Sequence, residues 1–120
     1  MSHKPVPVLL EHMLDAAREA RAFVRGKNRE DLDGERQLQH SLIRCIQVIG
    51  EAASRVDPVF RADHPEVPWI DMIGMRNRLV HAYFDIELDM VWRTSVEELP
   101  ELIALLERLM DEQIDELPPG

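Results

Sequence analysis

Apolar positions recur at helical spacing in several stretches of this 120-residue chain, and polar or proline-rich segments separate them. After Pro5 and Pro7, the positions Leu10, Met13, Leu14, Ala17 and Ala20 lead to Phe23 and Val24, with Gly26 as a stop signal. Lys27 to Gly34 is polar and reads as a loop. A second stripe, Leu38, Leu42, Cys45, Ile46, Ile49, Ala53 and Val56, ends before Pro58. Ile43 and Val48 widen it, and a helix apolar over so broad an arc is expected to be contacted on more than one side, by a second subunit as well as by its own core.

Asp57 to Pro68 holds three prolines and reads as a connector, with Pro68 in the first turn of a third helix starting at Trp69. A fourth helical region starts near Asp89 and passes through Trp92 and Val96. Pro100 either kinks it or opens a final helix carrying Leu102, Ile103, Leu106, Leu109 and Met110, and the Pro-Pro-Gly terminus is expected to fray. The short loops predict an all-α fold, an antiparallel bundle of four to five helices, as a single domain over residues 1–120.

Composition narrows this picture. Few aromatics and glycines, with plentiful Leu, Ala, Glu, Arg and Met, favour helix over strand. The lone Cys45 has no partner for an intramolecular disulfide, and the Cys/His spacing of a zinc site is missing, which suits a reducing cytoplasm. No apolar run approaches the roughly 20 residues that cross a bilayer, so a soluble protein without a membrane partner is expected. The formal charge of −9 is uneven: residues 1–60 carry nine Lys/Arg against nine Asp/Glu, residues 61–120 five against fourteen. That balance excludes an extensive basic face and leaves room for a local basic site; the stretch from Glu97 to Glu116 reads as a solvated acidic helix.

The chemistry concentrates in the third helix. On a helical wheel of residues 69–84, Trp69, Met72, Ile73, Leu79, Val80 and Tyr83 fall within about 60° of Arg76. A guanidinium amid apolar neighbours stays charged and is costly to desolvate, so it calls for a carboxylate, carbonyls or an anionic ligand such as phosphate. Asn77 and His81 are four apart and neighbour one another at the edge of that stripe, where the amide can orient the imidazole. Arg78 lies three residues before His81 on the outer side. Glu51 lies opposite Leu42, outside the apolar stripe, so pairing with Arg76 is not expected within one chain but is possible across a dimer interface.

Taken together, Ile49-Gly50-Glu51-Ala52-Ala53, Pro68-Trp69, Met75 to Asp85, Val91-Trp92 and Leu99-Pro100 resemble the HepT-like branch of the HEPN superfamily, whose Arg-x4-His-x-Tyr pattern is intact as Arg76, His81 and Tyr83. The resemblance implies a HEPN-like helical bundle that dimerises so that two motifs share one cleft. It also implies a ribonuclease toxin neutralised by an MNT-type nucleotidyltransferase antitoxin of the MntA kind. By position, Arg76 and His81 would be catalytic, Asn77 would support them, and Tyr83 would be the residue the antitoxin modifies with AMP; Glu51 and Arg78 are further candidates for a supporting role. A metal-independent cleavage of RNA, with no metal ligands and no cofactor, is the expected chemistry. The alternative from another class is a non-catalytic helical module that binds nucleotide or the nucleotidyltransferase and uses Arg76 only to hold phosphate.

Overall fold

The computed structural model describes residues 4–81 and 87–115, leaving aside the side chains of His81, Ile114 and Asp115. The described chain is all-helical: α1 (Val6–Val24), α2 (Arg29–Gly34), α3 (Arg36–Arg55), α4 (Pro58–Asp63), α5 (Trp69–His81), α6 (Leu88–Arg93), a π-helical turn (Thr94–Glu98) and α7 (Leu99–Asp115). α3 packs against both α1 and α5, while α1 also packs against α7. Leu10, Met13, Leu42, Ile46, Ile49, Val91 and Leu106 fill the shared core, each at most 2% exposed. The broad stripe on α3 is thus explained largely within the chain, because α3 has neighbours on two sides.

The long helices begin and end where the residue types dictate. Gly26 follows α1 with φ of 75°, a left-handed conformation that costs glycine little and other residues more. Pro68 precedes α5, and its carbonyl accepts from the Met72 amide at 3.1 Å. Cys45 is buried in the core of α3, and burial pushes its thiol up to about 11.

Two short helices replace segments expected to be irregular. The polar stretch after Gly26 contains α2, held by a capping box: the Asn28 side chain accepts from the Asp31 amide at 3.0 Å, and the Asp31 carboxylate accepts from the Asn28 amide at 2.8 Å. Leu32 anchors this turn in the core, and the Arg29 guanidinium ties it to Asp89 of α6. In the proline-rich connector, Asp57 caps α4 by accepting from the Val59 amide at 2.8 Å, and Pro58 supplies its first residue.

Pro100 opens the final helix, the second of its two expected effects. It lies in the first turn of α7, and the helix that precedes it widens into a π turn in which the Leu99 amide bonds the Thr94 carbonyl. Lacking an N–H, Pro100 leaves backbone acceptors behind it without their usual helical donor. Arg21 of α1 supplies the replacement, its Nη1 donating to the Ser95 carbonyl at 3.0 Å and to the Val96 carbonyl at 3.5 Å. We therefore expect Arg21→Ala to lose about 1–2 kcal/mol of stability by leaving a part-buried carbonyl without its charged donor. The exposed neighbour substitution Arg25→Ala should stay within about 0.5 kcal/mol. Urea unfolding of the two variants separates these outcomes.

Candidate active site

The middle of α5 is set against α3 by one glycine. An ideal Cβ built on Gly50 would lie 2.3 Å from the Arg76 Cβ and 2.7 Å from the Met72 carbonyl oxygen, so the two backbones approach as closely as they do only because residue 50 has no side chain. Trp69, Met72 and Leu79 bury the apolar face of α5, and Ile73 packs on the core from its edge. Arg76 lies on this helix between buried and exposed faces, its side chain 27% exposed.

That contact also decides the fate of Glu51. Its carboxylate lies 3.5 Å from Arg76 Nη2 within the same chain, which corrects the expectation that the two would meet only across a dimer interface. The wheel position of Glu51 outside the buried arc of α3 was read correctly. What the wheel omits is the closeness of the helices at Gly50, which lets two long side chains meet around the edge of the contact. Glu51 bridges two guanidiniums, since its other oxygen accepts from Arg55 Nε at 3.0 Å.

The Arg76 guanidinium is nevertheless incompletely served. Its Nε is buried and has no hydrogen-bond partner among the described residues. At 3.5 Å, the Glu51 contact is longer than the roughly 2.7–2.9 Å of a strong charge-assisted hydrogen bond. A buried donor without an acceptor costs about 1–3 kcal/mol, an expense that structure alone does not require.

Arg76 opens on a groove of about 460 Å³ between α1, α3 and α5, lined by Lys4, Leu9, His12, Arg44, Gln47, Val48, Glu51, Ala52, Arg55, Arg76 and Val80. Four of these side chains are permanent cations and one is a carboxylate. An acidic chain thus carries a concentrated positive site, the local exception that its net charge left room for. Lys4, His12, Arg44 and Arg55 had not been singled out from the sequence. The signal was present, because residues 44, 51 and 55 share one face of a helix opposite the apolar stripe.

The remaining candidates fall in different places. Asn77 is exposed and does not line the groove. Arg78 points to the other end of α5, where its Nη2 bonds the Glu87 carboxylate at 2.7 Å; Glu87 is only 12% exposed, so Arg78 neutralises a nearly buried charge and fastens α5 to the start of α6. His81 is the last residue of α5, four residues beyond Asn77 on the same helix. The His81 side chain and Tyr83 lie outside the described residues. No three or more His, Cys, Asp or Glu side chains are grouped as metal ligands among the described residues, and no described helix is long and apolar enough to cross a membrane.

The chain is similar to known proteins over most of its length. The family model "Ribonuclease HepT-like" matches residues 13–109, a span that includes the α3–α5 contact and Arg76. The chain is 35% identical over 108 residues to the "Probable ribonuclease HepT" of Thermococcus cleftensis, covering 90% of this chain and 96% of that one. It is 32% identical to a "Putative RNase" of Caldanaerobacter subterraneus subsp. tengcongensis, covering 87% of this chain and 93% of the relative. A "Putative RNase" of Methanocaldococcus jannaschii is 30% identical, with 85% and 94% covered. No solved structure matches the chain. With a family match across most of its length, a relative 35% identical over 90% of the chain, and an all-helical fold, the chain belongs to the HepT-like ribonuclease family of the HEPN superfamily.

Proposed function

We propose that this protein is a metal-independent endoribonuclease and the toxin of a toxin–antitoxin pair, with Arg76 and His81 as its catalytic residues. The observation that carries the reading is Arg76 itself: a half-buried guanidinium whose Nε has no partner among the described residues, loosely held by one carboxylate, opening on a groove rich in positive charge. Such a group is poised for an anion with better geometry than Glu51 offers, and the two non-bridging oxygens of a phosphodiester provide it. Family membership supplies RNA as that anion's source, since the relatives carry ribonuclease names.

The reaction follows from these groups. His81 takes the proton of a ribose 2′-OH as that oxygen attacks the adjacent phosphorus, and the bond to the 5′-oxygen of the next nucleotide breaks. The leaving oxygen receives a proton from an imidazolium, the second His81 of a dimer or the same one. Arg76 stabilises the charge that builds on the non-bridging oxygens, and Asn77, one helical turn before His81, orients the ring. We place the reaction in a homodimeric cleft in which two motifs face each other; the exposed Val80 beside Arg76 is an apolar side chain that such an interface would cover. The products are a 2′,3′-cyclic phosphate, or its hydrolysis product, and a 5′-hydroxyl. End-group analysis of cleaved RNA tests this, and 3′-hydroxyl and 5′-phosphate ends would overturn the mechanism.

Control of the activity belongs to the same proposal. An MNT-type nucleotidyltransferase transfers AMP from ATP to the Tyr83 oxygen with release of pyrophosphate, and the new phosphodiester places an anion near the motif, competing with RNA. Co-expression with such a partner adds the mass of AMP to the wild-type chain and none to Tyr83→Phe. An unmodified wild-type chain from that co-expression contradicts this part of the reading.

A further inference from the structure

The stripe formed by Arg44, Val48, Glu51 and Arg55 runs along one face of α3 for about 16 Å at 1.5 Å per residue, and it forms a wall of the groove that holds Arg76. Three features of this wall call for a ligand. Like charges are concentrated there in a chain whose net charge is −9, although mutual repulsion disfavours that placement. Among the described residues, neither Arg44 nor Lys4 is in an ion pair, so the groove holds two cations without a carboxylate partner, whereas Arg18, Arg29 and Arg78 each have one. Glu51 presents one oxygen to Arg55 and the other to Arg76, so a single anionic group already bridges the stripe to the catalytic arginine.

We propose that Arg44 and Arg55, with Lys4 beyond them, form a phosphate-contacting track for single-stranded RNA that leads to Arg76, and that Glu51 is an internal anion displaced when an RNA phosphate takes its place. The proposal rests on the ribonuclease reading for the identity of the polyanion. The groove lining includes no Phe, Tyr or Trp, and its permanent charges outnumber its one imidazole, His12, so the track grips mainly backbone charge and contributes affinity with little regard to sequence. Release of Glu51 leaves Arg76 free to accept the scissile phosphate, while Arg55 holds a flanking one.

The test is binding of a fluorescein-labelled single-stranded RNA, 2′-O-methylated so that it resists cleavage, followed by anisotropy over a series of salt concentrations. Counterion release gives a slope of log affinity against log salt of about −0.7 for each phosphate contact on a single strand. Arg44→Gln/Arg55→Gln should flatten the wild-type slope by about 1.4, and Arg44→Gln alone by about 0.7. Arg44 is exposed, so the single variant keeps the measurement sound if the double one is unstable. Arg108→Gln, which removes the same charge from an exposed position on α7, should keep the wild-type slope. A wild-type protein that does not bind the RNA, or groove variants with the slope of wild type or of Arg108→Gln, overturns the track. Cleavage of the unmodified oligonucleotide is scored in parallel. Cleavage with unaltered slopes defeats the track alone, whereas flattened slopes without cleavage defeat the ribonuclease reading alone.

Discussion

Gly50→Ala should unfold at a markedly lower temperature than wild type, by roughly 8 °C, even though alanine is the better helix former. Two effects oppose each other at this position. Replacing a mid-helix glycine by alanine favours a helix by about 1 kcal/mol. Against that, the new methyl would lie 2.3 Å from the Arg76 Cβ and 2.7 Å from a backbone oxygen, neither of which is the flexible end of a side chain. No rotamer change relieves the clash, so α3 and α5 must separate. Overpacking of this sort costs about 1–3 kcal/mol and sometimes more, and a contact that includes backbone belongs at the upper end. At about 4 °C per kcal/mol for a domain of this size, the packing term dominates. Gly74→Ala on α5 is the control: an added Cβ there meets nothing within 4 Å, so only the propensity gain remains and the melting temperature should rise. Thermal unfolding of both variants checks the pair. Because the separation moves Arg76, Gly50→Ala should also cleave RNA more slowly than its remaining folded fraction accounts for.

Arg76→Ala should lower the single-turnover rate of RNA cleavage by about 10²–10³, the range for removing one preorganised donor to developing charge. Arg76→Lys should recover little of it, because an ammonium keeps the charge but loses the planar fork that matches two phosphate oxygens. Stability should move differently. Arg76 holds a buried Nε with no partner among the described residues, and Glu51 retains Arg55 when Arg76 is gone, so Arg76→Met should unfold no earlier than wild type. A residue whose replacement abolishes activity while sparing stability is there for the reaction. An Arg76→Met protein that cleaves RNA normally, or one that fails to fold, would refute this account of the residue.

Much of this architecture was legible in the amino-acid sequence, for a physical reason that also explains what was not. α1, α3 and α5 are long enough for an apolar stripe to repeat several times, and Gly26, Pro58 and Pro68 punctuate them through backbone constraints that do not depend on tertiary context. α2 and α4 are six residues each, too short for periodicity; their signals were caps, Asn28 with Asp31 and Asp57 before Pro58, and a polar composition masked them. The importance of Arg76 followed from its place amid apolar residues, which is a property of one helix. The partnership with Glu51 and the groove shared with Lys4 and Arg44 depend on how closely three helices meet. A wheel drawn for one helix at a time carries no such distance. Gly50 was the available clue, since a glycine in the middle of a strongly apolar helix often marks the close approach of another backbone.

That close approach also joins stability to function in this molecule. The same missing side chain that lets α5 lie against α3 brings Glu51 beside Arg76 and sets that arginine in a cationic groove of an acidic protein. The Arg78–Glu87 pair holds the far end of α5 to α6, on either side of the segment that carries Tyr83.

The central claim is tested most directly by incubating purified, unmodified protein with a diverse RNA pool in EDTA, beside Arg76→Ala and His81→Ala variants shown to be folded. The account predicts cleavage by the wild type with metal chelated and its loss in both variants. An intact RNA pool after incubation with folded wild type, or undiminished cleavage by His81→Ala, would contradict it.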